Sequence, residues 1–231
     1  ITGRDDPYRE IKDFYNRFAL DMYTDLKQRV RQSGAPFETA VRLAIAGNII
    51  DFGVSTDLDV STVRNTIEDS LSGPVFGDLE SLAAAAVKAK SIVYLGDNAG
   101  EILFDRILIE EIGPDKVIFV TRGGPVINDV TVQDAEAVGL TNCARVMDNG
   151  TDVPGTVLSE CSEAFIREFE RADLVISKGQ GNYETLSDTG TGGKLFFLFK
   201  VKCPVVAQDI GCEMGRAVAA SNKNGNKWRD E

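Results

Sequence analysis

Asp97 and Asn98 follow the apolar run SIVYL after a single glycine, at the mouth of an amphipathic segment from Glu101 to Ile112. A second polar cluster, TRGGPVINDVT, follows KVIFV and carries Arg122, Asn128 and Asp129. A third, KGQGNYE, follows DLVIS and carries Lys178, Gln180, Asn182 and Glu184. Two carboxylates and an amide oxygen converging from adjacent loops make a partial coordination sphere for a hard divalent ion such as Mg²⁺ or Mn²⁺, with water and a phosphate oxygen completing it. A helix starting near Gly100 would offer free N–H groups and a positive dipole end to that phosphate. Lys178 would neutralise charge as it develops on the phosphoryl group. Glycine at such a turn lets a dinucleotide's pyrophosphate approach; Asp-Asn in that place brings in a cation.

Each residue also has a plainer use. Asp97 or Asn98 alone would serve as a helix cap, and Asp129 would cap a helix over Val130 to Ala137. Lys178 would serve as a solvated lysine at a strand end, and Gly179 and Gly181 as turn residues with positive φ. Together these uses need three coincidences on one edge, so a shared site is the stronger expectation. TGTGGKLFF has a P-loop look, but Asp188 stands where the first glycine should be and Leu195 where Ser or Thr should follow the lysine.

The composition narrows the chemistry further. The 231 residues contain no histidine, which removes histidine triads, HExxH zinc sites and imidazole acid–base catalysis from this chain. The formal net charge of -11 argues against nucleic acid as a partner, because duplex binding relies on clustered Lys and Arg. The four cysteines form no CxxC pair, and Cys143 and Cys203 lie in apolar, strand-like stretches. Neither a membrane span nor a signal peptide is visible, so a cytoplasmic protein with no membrane partner is expected.

These loops need a scaffold that brings them to one rim. Up to about Lys90 the periodicity is helical: Pro7 to Val30, then FETAVRLAIAGNIIDFG, then segments around Ser61 to Asp69 and Leu79 to Lys90, with SGPVFG as a break. From Ser91 the short apolar runs SIVYL, KVIFVT, CARVM, DLVIS, LFFLFK and PVVA alternate with helical stretches, including Glu101 to Ile112 and Thr156 to Glu170. This alternation predicts a Rossmann-like α/β fold, three layers with a mostly parallel sheet, over residues 91–231, preceded by a helical domain over residues 1–90. In such sheets ligands bind at the carboxyl ends of the strands, where all three polar clusters fall.

The motifs YLGDNAGEILFDRILIEE, GGPVINDVT, KGQGNYETL and FFLFKVKCPVVA resemble the metal-dependent damage-control phosphatase family, first catalogued as domain of unknown function 89. FETAVRLAIAGNIIDFG is similar to the helical-domain motif of its archaeal and bacterial branch. The match runs from about Asp13 to Gly211. The resemblance implies a helical domain on a Rossmann-like domain that hydrolyses small phosphomonoesters, among them sugar phosphates and damaged phosphorylated metabolites. It implies activation by Mn²⁺, Mg²⁺, Co²⁺ or Ni²⁺. It also implies metal ligation by Asp97, Asn98 and Asp129, and Lys178 beside the phosphate.

Gly100, Glu101, Asn128, Asn182 and Glu184 are the further substrate-binding candidates. Asn48 and Asp51 of AGNIID are candidates from the helical domain, although packing or capping explains them nearly as well. The branch often carries a CxxC near its N-terminus, which these residues lack. Two rival readings are an S-adenosylmethionine-dependent carboxyl methyltransferase, whose glycine-rich turn is missing after the first strand, and a non-catalytic metabolite-binding protein.

Overall fold

A computed structural model describes residues 5–49 and 60–221. The helical half consists of α1 (Arg9–Gln32), α2 (Pro36–Ile49) and α3 (Val60–Ser72), then the short strand β1 (Val75–Gly77) and α4 (Leu79–Lys88). There follow β2 (Ile92–Leu95), α5 (Ile102–Ile112), β3 (Val117–Thr121), α6 (Val132–Ala137) and β4 (Arg145–Asp148). The chain continues through α7 (Glu163–Arg171), β5 (Leu174–Lys178), α8 (Gln180–Leu186), β6 (Leu195–Lys200), α9 (Pro204–Ile210) and β7 (Ala217–Ser221).

The strands form one sheet in the order β1-β7-β6-β5-β2-β3-β4. Strands β2 to β6 run parallel; β7 is antiparallel to β6, and β1 pairs parallel with β7. The strand order reverses direction at β2, so the ends of β2 and β5 open the crevice in which such sheets bind ligands.

Side-chain alternation divides the core into two layers. Tyr94, Phe119, Ile176 and Leu198 face the cluster built with α1 to α6, and Val93, Val120, Val175 and Phe197 face the cluster under α7 to α9. Burial on both faces explains why these strands read as continuous apolar runs. Helix α2 is apolar nearly all round and sits inside the first layer, with Val41, Leu43, Ala44 and Ile45 fully buried. Gly47 lets it press against α5: a Cβ there would lie 3.0 Å from both Glu101 Cβ and Phe104 Cδ2. That approach brings Asn48, the next residue, within reach of the sheet's rim.

Three expectations change. PVVA is the start of a helix, because Pro204 fixes φ at the first helical position and the turn closes at Gly211 in the left-handed region. The helix expected from Thr156 begins only at Glu163, where the Ser162 hydroxyl accepts from Phe165 N; Leu158–Glu160 is a single 3₁₀ turn. β1 and β7 are strands that periodicity did not indicate. β1 lies before Ser91 yet belongs to the common sheet, and residues from both stretches share one apolar cluster. Asp51 falls outside the described residues.

Candidate active site

The loop after β2 and the loop after β3 are joined by an isolated antiparallel bridge between Asn98 and Asp129. Its hydrogen bonds are Ala99 N to Asn128 O, 2.9 Å, and Val130 N to Asp97 O, 2.8 Å. These bonds flank the 98/129 pair rather than linking it, which is the closer of the two antiparallel arrangements and sets the side chains side by side. The loop after β3 reaches this position through a tight turn in which Asp129 N donates to Val126 O, 3.0 Å. Inside that turn Ile127 takes φ 46°, and it is the only non-glycine residue with positive φ among those described.

Asp97 lies at the meeting point of several elements. Its Oδ2 accepts from Asn98 Nδ2 at 2.9 Å and from Asn48 Nδ2 of α2 at 2.9 Å. Asn48 Nδ2 also donates to Glu101 Oε2, 3.0 Å. Gly179, between β5 and α8, makes room for the carboxylate from below. Among the described residues both side-chain hydrogen bonds to Asp97 fall on Oδ2, which leaves Oδ1 and Asn98 Oδ1 as acceptors.

The charges around this point do not balance. Burial pushes the Asp97 carboxyl well above the usual carboxylate range, and the negative charges of Glu101 and Asp129 push it further against the pull of Arg122 and Lys178. Asp129 is raised as well, first by burial, with Arg122 opposing and Glu101 adding to the shift. Four buried or half-buried carboxyls, Asp97, Glu101, Asp105 and Asp129, share only Arg122 and Lys178 as cations of this group among the described residues, so it is short of positive charge. A divalent ion would supply it, and the donors present are the oxygens such ions prefer. Among the described residues no three His, Cys, Asp or Glu side chains could hold a metal ion by themselves. The set on offer is therefore two carboxylates with one amide, plus water.

The plainer uses of the polar residues do not hold in the structure, whereas Gly179 does take the positive φ of a turn glycine and Gly181 does not. Helix α5 begins at Ile102 with no side-chain cap, so neither Asp97 nor Asn98 caps it. Helix α6 is capped by Thr131 in a reciprocal box with Asp134, which leaves Asp129 without a capping role. Lys178 is fully buried rather than solvated.

The neighbouring candidates differ in placement. Lys178 Nζ pairs with Asp105 Oδ1 at 2.5 Å and Glu101 Oε1 at 3.4 Å, and its charge is felt at the Asp97 carboxyl. Asp105 also accepts from Tyr94 OH, 2.7 Å, and burial brings its carboxyl up to about 6, with Lys178 opposing. Glu101 is buried within this group. Gly100 is buried, but its N–H is taken by Asn16 Oδ1 at 2.8 Å and is not free for a phosphate. Asn128 contributes its backbone carbonyl to the bridge. Asn182 uses all its hydrogen-bonding capacity, accepting from Arg122 Nη2 and Thr156 Oγ1 and donating to Gly96 O and Lys178 O. Glu184 is exposed on α8 and accepts from Gln180 Nε2, 2.8 Å, apart from this network.

Arg122 is the residue whose role the sequence left unassigned. Its Nε donates to Asp129 Oδ2, 2.7 Å, and its other nitrogens reach Thr156 and Asn182. One guanidinium thereby ties the loops after β3 and β4 to helix α8. Its place in the second rim cluster was visible, but the destination of so long a side chain was not.

An α/β sheet with carboxylates and amides gathered at its switch point, beside buried Arg and Lys, differs from the glycine-rich cradle of a dinucleotide site. The family model described as damage-control phosphatase ARMT1-like domain matches residues 1–218, and the chain belongs to that family. It is 38% identical to a damage-control phosphatase of Pyrococcus horikoshii, over 96% of this chain and 77% of that one. It is 37% identical to a damage-control phosphatase of Archaeoglobus fulgidus, over 95% of this chain and 77% of the relative. The crystal structure of a DUF89 family protein from Pyrococcus horikoshii superposes with a TM-score of 0.86 at 38% identity, covering 96% of this chain and 77% of that one. The chain is accordingly a phosphatase. No helix among the described residues is long and apolar enough to cross a membrane.

Proposed function

We propose that the protein hydrolyses small phosphomonoesters, sugar phosphates or damaged phosphorylated metabolites, at a divalent-metal site formed by Asp97, Asn98 and Asp129. The observation that carries this reading is the Asn98–Asp129 bridge, which sets an amide and a carboxylate beside Asp97 in a pocket short of positive charge. When bound, a divalent ion such as Mn²⁺, Mg²⁺, Co²⁺ or Ni²⁺ supplies Lewis acidity toward a phosphoryl oxygen and acidifies a water.

The chain's own residues provide the rest. Asn48 and Asn98 fix the Asp97 carboxylate through Oδ2 and turn Oδ1 to the ligand side. Arg122 holds Asp129 in one rotamer while adding positive charge at the rim. Lys178, with its charge kept by Asp105 and Glu101, supplies positive potential at the site. Asn48 comes from the segment assigned to the helical domain, so we place the substrate pocket where that segment meets the sheet's rim.

The test is phosphate release from a panel of sugar phosphates and phosphorylated cofactors with each of the four ions, for the wild type and Asp97→Ala. Metal-dependent release by the wild type and none by the folded variant is expected. Undiminished turnover in Asp97→Ala after metal removal and re-addition would refute the site. Calorimetry with S-adenosylmethionine on the same samples identifies a methyltransferase if that cofactor binds tightly and no phosphate is released.

A further inference from the structure

Helix α1 presents Arg9, Lys12 and Asn16 on one face, at spacings of three and four residues, and all three meet Asp134 in the first turn of α6. Lys12 and Asn16 are 0% and 2% exposed. The Asn16 amide is used at both ends. Oδ1 accepts from Gly100 N, 2.8 Å, in the loop of Asp97 and Asn98, and Nδ2 donates to Asp134 Oδ1, 3.0 Å. Asp134 Oδ2 in turn accepts from Thr131 N and Thr131 Oγ1, two residues beyond Asp129, and pairs with Lys12 Nζ at 2.8 Å. Arg9 Nη2 pairs with the other oxygen of Asp134, 2.5 Å.

We infer that Asn16 is a positioning residue of the metal site. It acts as a cross-brace that fixes the Asp97–Asn98 loop relative to the Asp129 loop, and so sets how tightly the site holds its cation. The inference rests on the metal reading proposed above. An ordinary buried asparagine would satisfy itself within its own helix or with one neighbour. This one instead spends its acceptor on the Asp97–Asn98 loop and a donor on Asp134, in the first turn of the helix that follows the Asp129 loop. An amide suits both ends, with a separate acceptor for the Gly100 N–H and a donor for the Asp134 carboxylate.

Mn²⁺ binding is measured on the full chain without substrate, by the loss of the free-ion electron paramagnetic resonance signal. Amide exchange of Gly100 is followed in the metal-free protein. The proteins compared are the wild type, Asn16→Leu, Asn16→Asp and the exchange variant Asn16→Asp/Asp134→Asn. Asn16→Leu leaves the Gly100 N–H without its acceptor, and Asn16→Asp sets a carboxylate against Asp134. The exchange variant restores a donor–acceptor pair with the same total charge as the wild type.

Both single variants should weaken Mn²⁺ binding by about tenfold or more, the scale typical of lost outer contacts to metal ligands. The exchange variant should bind more tightly than Asn16→Asp but below the wild type, because it also takes a carboxylate oxygen from Arg9 and Lys12. Gly100 exchange should quicken in Asn16→Leu. Should Asn16→Leu fail to fold, the comparison of Asn16→Asp with the exchange variant decides. A lowered melting temperature with unchanged Mn²⁺ affinity in the single variants would make Asn16 a stabilising residue only and overturn the inference. Wild-type protein that takes up no Mn²⁺ overturns the metal reading itself, and is recognised as such because it involves no variant.

Discussion

The Asp97 carboxylate occupies the space that a side chain at Gly179 would need: a Cβ there would lie 2.0 Å from Oδ2 and 2.2 Å from Cγ of Asp97. Gly179 also has φ 78° and ψ 159°, a region essentially reserved for glycine. Gly179→Ala must therefore displace Asp97. A misplacement of about 1 Å typically costs about a hundredfold in rate, and a loss of that order in kcat/KM for phosphate release is expected. Full activity in this variant would show that Asp97 need not stay where it is found.

Arg122→Met should be costly to the fold as well as to activity. It leaves Asp129, Thr156 and Asn182 without their buried donor. Removing one partner of a buried ion pair costs about 3–5 kcal/mol, which urea unfolding will register. Arg122→Lys keeps the charge but not the three-way fork, and should recover only part of that loss.

Ile127→Asn should stabilise the protein. Ile127 is β-branched, sits at φ 46° and is 54% exposed, so the change relieves backbone strain while little burial is lost. Left-handed backbone costs an ordinary residue about 1–2 kcal/mol, and asparagine tolerates it better. A gain of about 1 kcal/mol in unfolding free energy is the expected result; a loss would mean that the isoleucine side chain is held by contacts of its own.

The α1 anchor makes stability depend on acid pH. Burial alone would raise the Asp134 carboxyl, but Lys12 and the two Thr131 donors outweigh it and hold the carboxyl below its ordinary value. A depressed carboxylate contributes stability that is present above its unfolded value, about 3.9, and is lost as the pH falls through the folded value. Wild type and Asp134→Asn should therefore differ in unfolding midpoint by a steady amount above about pH 5 and converge only as the pH falls below about 3.9 and through the folded value. A difference that is constant across this range would show that Asp134 is not held ionised by Lys12.

The rim was legible because it depends on local order. In a parallel sheet, whatever follows an apolar strand lands on the same edge, so Asp97, Asp129 and Lys178 could be grouped without knowing a single distance. The support beneath them was hidden because its contacts span the chain: Lys178 with Asp105, Asn48 with Asp97, Asn16 with Gly100. One trace of it was present. Lys12 and Asn16 interrupt the buried stripe of α1 that runs through Tyr15, Ala19, Leu26 and Val30, and Asp105 interrupts the apolar face of α5. A polar residue on a buried stripe needs a partner, which is a signal that spacing alone can raise but cannot direct. β7 escaped notice because AVAAS is mostly alanine, which has little intrinsic preference for strands.

The place of β7 between β6 and β1 bears on how the molecule is made. Among the described residues β1 pairs in the sheet with β7 alone, so Val75–Gly77 must wait for residues 217–221 to leave the ribosome before it can dock. The parallel strands β2 to β6 lie earlier in the message than β7 and can pair among themselves first. Closing a loop of that length is slow compared with neighbouring contacts, so nascent chains halted before Ala217 should carry an open flank beside β6 and be prone to stick to one another during synthesis.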